Sequence, residues 1–223
     1  GWTVRDVVAH TGSVHRQKEQ IVREGWLDRA PPPVEAPDDG LVDWYDEGLH
    51  QLVTTLSETD PSTPVYTWYE PDRTAGFWYR RMAQETAVHR VDVEQGHGMD
   101  GRVAPDLAAD GVDELLVVML TGYPGWADVT EYEGTLRLEC TDREAAWTLR
   151  YVTFSGTSPN SGTEVADEPS FVFADEPAPT TVARGKASDL LLYAWGRGPM
   201  SSLEVVGDMT LLADFRSVAA DVT

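Results

Sequence analysis

The chain has 223 residues, with hydrophobic residues at 41% and charged residues at 25%, which is the composition of a folded globular protein. Asp plus Glu number 38 against 17 Lys plus Arg, a net charge of −21 that repels phosphate backbones and anionic lipid and excludes nucleic acid and membrane surfaces as partners. The single cysteine, Cys140, excludes an internal disulfide framework and any multi-cysteine metal site.

The chain opens on Gly1-Trp2-Thr3, without a methionine. Thr3 suits a helix N-cap, and Asp6 three residues later suits the first turn. A helix is expected over 3–24, with Val7, His10, Val14 and Ile21 on one face and Gly25 as its stop. The proline-dense stretch 29–40 is an extended connection. A second helix is expected over 41–56, with Leu41, Tyr45, Leu49, Leu52 and Leu56 facing inward. An aromatic loop, 65–76, leads to a third helix over 77–95. The glycine-rich 96–101 reads as a hinge between domains 1–100 and 101–223.

A fourth helix over 105–121 opens the second domain. After Pro124 the period changes from 3.6 to 2. Strands are expected over 134–140 and 146–153, with Leu136, Leu138 and Cys140 inward in the first. Residues 155–169 read as a long polar loop. Short strands over 170–174 and 180–184, a helix over 186–195, a strand over 203–206 and a helix over 210–220 complete the chain. Helices before a mixed half give α+β order.

The third helix carries the chemistry. Trp78, Met82, Glu85, His89 and Asp92 recur at steps of 4, 3, 4 and 3 and share one face. A carboxylate and an imidazole at i, i+4 can grip one divalent cation or simply pair with each other. On the first helix His10 points inward between Val7 and Val14. His10, Glu85 and His89 thus form a His/Glu/His set on two helices of one bundle, the way bundles build metal sites. Spacing leaves the metal and the ion-pair readings both open. His15 and His50 fall off the apolar faces and are expected in solvent. His97 belongs to a helix stop, and Cys140 is inert packing. Trp68 and Trp78 are expected near the site. A Gly-x-Ser-x-Gly elbow is absent from the sequence.

Three segments carry a resemblance. Residues 2–10, 77–92 and 189–197 (WTVRDVVAH, FWYRRMAQETAVHRVD and DLLLYAWGR) resemble the signature segments of the mycothiol-dependent maleylpyruvate isomerase family, in the family's order. The resemblance implies a DinB-like four-helix bundle followed by a small α+β domain similar to sterol carrier proteins. The bundle's first helix would lie before Gly1. It implies a divalent metal, usually zinc, on His10, Glu85 and His89, with an open position for the thiol of mycothiol. The implied activity is isomerisation of a cis-enoic acid. The alternatives are a mycothiol S-transferase or a non-catalytic metal- or ligand-binding protein. A dicarboxylic substrate needs a cation, and Arg197, just past a helix end, is the candidate. A cytoplasmic location is expected, and nothing in the sequence fixes the oligomeric state.

Overall fold

The computed structural model describes residues 1–221. The chain divides into two compact units, Gly1–Gly101 and Arg102–Thr223.

The first unit holds three helices: α1 (Val4–Glu24), α2 (Leu41–Glu58) and α3 (Ala75–Gly96). A capping box starts α1. The Thr3 hydroxyl accepts from the Asp6 N–H, and the Asp6 carboxylate accepts from the Thr3 N–H at 2.8 Å. Gly25, at φ 67°, ends the helix by donating its N–H to the Ile21 carbonyl. The α1–α2 seam depends on Gly12, where a β-carbon would stand 2.4 Å from the Trp44 ring. Arg16 locks that seam, its guanidinium 4.7 Å over the Trp44 ring and donating to the Trp44 carbonyl at 2.7 Å. On α3, Trp78 is fully buried and donates its indole N–H to the Tyr66 carbonyl at 2.8 Å. The aromatic loop is thereby tied to the helix it precedes.

The second unit opens with α4 (Pro105–Glu114), which passes into a π-helical turn at Leu115–Leu120. The expected single helix over 105–121 is therefore corrected in its last turns. Thr121 reaches back to the Leu116 carbonyl, an i→i−5 bond that winds the apolar run LLVVML more widely. A five-stranded sheet follows, in the order β3-β2-β1-β4-β5. Its strands are β1 (Asp128–Cys140), β2 (Ala146–Thr157), β3 (Glu164–Phe173), β4 (Thr181–Gly185) and β5 (Glu204–Val206). Among the paired strands described, β1 and β4 run parallel and the other pairs antiparallel. Leu136, Leu138, Leu149, Phe171 and Ala183 are buried on one sheet face. Helices α5 (Ala187–Ala194) and α6 (Met209–Ala220) contribute Leu190, Leu191, Leu212 and Phe215 to the core. Phe215 meets Phe171 edge-on at 5.7 Å.

The loop expected over 155–169 is instead most of a hairpin. Strand β2 runs on to Thr157 and β3 begins at Glu164, leaving only residues 158–163 as the turn. Two features hide these strands from a period-2 reading. First, β3 lies at the sheet edge, where polar residues and Pro169 are tolerated. Second, the register shifts between Phe154 and Gly156 opposite Asp167, which takes a positive φ of 51°.

Candidate metal centre

Two elements of the first unit bring the site together. His10 projects from the second turn of α1, and Glu85 and His89 lie one turn apart on α3. The Nε2 of His10 stands 3.2 Å from Glu85 Oε1. The Nε2 of His89 stands 3.3 Å from the same oxygen. One donor atom from each of the three residues lies within 4.8 Å of the other two. Donors bound at about 2.0–2.1 Å to a tetrahedral ion stand about 3.3 Å apart, so both N···O separations fit that geometry. Two imidazoles and one carboxylate are also a donor set that suits zinc or iron.

The surroundings orient these donors. His89 donates its Nδ1–H to Asp92 Oδ2 at 2.9 Å, which leaves Nε2 as the free donor atom toward Glu85. The second oxygen of Glu85 faces the buried Arg81 guanidinium at 3.4 Å. Burial disfavours the charged form of Glu85. Hydrogen bonds from His10 and His89 and the charge of Arg81 outweigh it and hold the carboxyl well below the usual carboxylate range. Burial likewise opposes charge on His89, but its bonds to Asp92 and Glu85 prevail and raise it to about 9. A dication placed there would take over the role those protons play.

One expectation changes. His15 is not in solvent: it is fully buried, and Nε2 donates to Thr86 Oγ1 at 2.8 Å. The Thr86 hydroxyl is committed to the Met82 carbonyl at 2.7 Å, so Nε2 must carry the proton. The bare Nδ1 is buried without a hydrogen-bond partner, and burial lowers the imidazole to about 4. The buried stripe of α1 is Val7, Thr11, His15, Glu19 and Val22, more polar than an apolar pattern can reveal. Trp78 is core. Trp68 packs on Tyr69 and Phe77. The indole that does stand at the histidines is Trp2, 4.8 Å from the His10 ring and 6.1 Å from the His89 ring. Its place before the N-cap offered no periodic signal.

A cleft of about 220 Å³ opens beside His89, lined by Val7, Val8, Tyr45 and Val93 and also by Thr11, Thr86 and Arg90. In the second unit Cys140 is buried and its thiol is pushed up to about 11, first by burial and then by Asp142. Arg197 follows α5, where it donates Nη1 to the Trp195 carbonyl at 2.6 Å. Among the described residues no helix is long and apolar enough to cross a membrane.

Fold and site define a two-unit α+β protein whose helical unit gathers a two-histidine, one-carboxylate donor set. Residues 1–94 match the family model of the mycothiol maleylpyruvate isomerase N-terminal domain, and residues 106–214 match that of the MDMPI C-terminal domain. The chain belongs to the mycothiol-dependent maleylpyruvate isomerase family. A crystal structure of a mycothiol-dependent maleylpyruvate isomerase, in a histidine-to-alanine variant, shares the fold. Its TM-score is 0.55 and its identity 16%, over 92% of this chain and 78% of that one. No curated protein matches the chain in sequence.

Proposed function

We propose that this protein is a metal- and mycothiol-dependent isomerase acting on a cis-enoic acid. The observation that carries the proposal is the convergence of His10, Glu85 and His89, both nitrogens within 3.3 Å of one Glu85 oxygen and all three donor atoms within 4.8 Å, with Asp92 selecting the Nε2 donor of His89. When bound, a divalent ion, zinc by preference, lowers the pKa of a coordinated thiol and so supplies a thiolate at neutral pH. The reaction proposed is addition of the thiol to an activated double bond, rotation about the resulting single bond, and loss of the same thiol. Substrate and product are then isomers.

The chain's own residues divide the work. His10, Glu85 and His89 hold the centre, while Asp92 and Arg81 fix the donor orientations. Cys140 takes no part, since a buried thiol at about 11 is protonated at neutral pH. An external thiol is therefore needed. Arg197 is proposed to grip a carboxylate of the substrate, which a guanidinium can do with two parallel hydrogen bonds.

One observation favours a second reading. The cleft beside His89 is lined mostly by apolar surface, with Arg90, Thr11 and Thr86 also on its wall, and that apolar surface suits an uncharged electrophile and transfer of the thiol to it without isomerisation. Elemental analysis of wild-type protein and of Glu85→Gln tests the metal. Mycothiol-dependent turnover of maleylpyruvate, set beside turnover of neutral electrophiles, tests the reaction. Wild-type protein expressed and purified with zinc yet holding none would overturn the proposal. Metal-loaded protein that turns over only neutral electrophiles would replace isomerase with transferase.

A further inference from the structure

The two histidines of the centre are held in different ways. His89 has the usual arrangement, an Asp92 carboxylate on its far nitrogen. His10 has none: among the described residues its hydrogen bond is the one to Glu85. Its side chain is 38% exposed, so burial does not fix the ring either. A ligating imidazole free to swing about its χ angles loses affinity to rotamer entropy.

What does meet the His10 ring is Trp2. The indole lies 4.8 Å from it at 57°, and 6.1 Å from His89 at 18°, while the two imidazoles meet edge-on at 5.1 Å. Three aromatic rings thus close a triangle at the donor set. Within the described residues Trp2 is 61% exposed and meets the two imidazole rings. It is directed from the backbone. Thr3 is extended (φ −86°, ψ 165°) and clamped by Asp6 through both its N–H and its hydroxyl. The chain therefore leaves α1 in a set direction, and the indole lies back over the histidines.

We infer that Trp2 is the positioning residue of His10, doing with an aromatic face what Asp92 does for His89 with a carboxylate. Metal ligation draws electron density from both imidazoles, and an electron-rich indole face favours rings in that state. An indole beside both imidazole rings would also limit how many waters can join a bound ion. This inference rests on the metal reading of His10, Glu85 and His89, and its test separates the two.

The test is titration of the metal-free protein with Co²⁺, reading both the dissociation constant and the visible absorption of the bound ion. The proteins compared are the wild type, Trp2→Phe and Trp2→Ala, with melting followed by circular dichroism. Melting of each variant beside the wild type shows whether the fold is kept, so that a change in Co²⁺ binding is read only on folded protein. Trp2→Ala is expected to bind Co²⁺ roughly three- to tenfold more weakly, the size of one aromatic contact. Its absorption should weaken as added water raises the coordination number. Trp2→Phe should restore most of both properties. Equal affinity and an unchanged spectrum in Trp2→Ala would overturn the inference and leave the metal reading intact. Failure of the wild type to take up Co²⁺ would overturn the metal reading and this inference with it.

Discussion

Asp92 accepts the Nδ1–H of His89 at 2.9 Å, and this one bond decides which nitrogen of His89 faces Glu85. The two residues sit three apart on α3, so the helix itself sets their approach. Asp92→Asn keeps the shape and removes the charge, and its amide can present a donor where an acceptor is needed. Affinity for Zn²⁺, measured by competition with a chromophoric chelator, should fall about 10–100-fold. Unchanged affinity would mean that His89 is not a ligand.

Much of the helical unit is legible from sequence because its signals are local. The Thr3/Asp6 capping box, the Gly25 stop and the 85/89/92 spacing each lie within one or two turns. His10 required a longer step, from an apolar stripe on α1 to a partner on α3 75 residues away. The burial of His15 is hidden from an apolar pattern because its neighbours on the buried stripe include Thr11 and Glu19, which satisfy themselves through hydrogen bonds rather than by being apolar. Trp2 lies outside any periodic element. The β2–β3 hairpin escaped because an edge strand with a bulge has neither clean alternation nor a two-residue turn.

Cys140→Ala should leave thiol-dependent turnover within about twofold of wild type. The side chain alternates inward with Leu136 and Leu138 on β1 and is buried. Its removal should cost about 1 kcal/mol of stability, a small cavity rather than a lost nucleophile. Denaturant midpoints and initial rates, measured on the same preparation, separate the two. Loss of turnover with an unchanged midpoint would return the chemistry to the protein's own thiol.

Arg197 sits where a helix ends, and a cation there is favoured by the α5 dipole alone. Its Nη1 bond to the Trp195 carbonyl belongs to that structural role. Arg197→Lys distinguishes capping from substrate binding. The lysine keeps the charge at the helix end but not the two-pronged donor. If Arg197 grips a carboxylate, kcat/KM should fall about 10–100-fold while the melting temperature stays nearly constant. If it only caps α5, turnover will be unchanged.

His15 gives the fold a pH dependence of defined sign. Its ordinary value is 6.5, and burial lowers it to about 4 in the folded chain. Between those values the unfolded chain binds a proton that the folded chain refuses, so stability rises with pH across the window. Above about pH 6.5 the imidazole is neutral in both states and contributes no slope. As pH falls from 6.5 toward 4 the loss grows, to about 3 kcal/mol at full protonation. His89 acts in the opposite sense in the metal-free chain, because its folded value is raised to about 9. Its contribution is complete below 6.5 and disappears as pH rises through 9, so it adds no slope in the acid window. Carboxylates held low, Glu85 among them, lose stability mainly below the His15 range. A variant isolates the term: His15→Gln keeps an N–H for Thr86 and cannot titrate. Urea unfolding of both proteins at pH 7.5 and at steps down to pH 4.5 should show the wild type losing more than the variant, with the gap opening below pH 6.5. Parallel curves would mean that the His15 ring is reached by water and titrates like an exposed histidine.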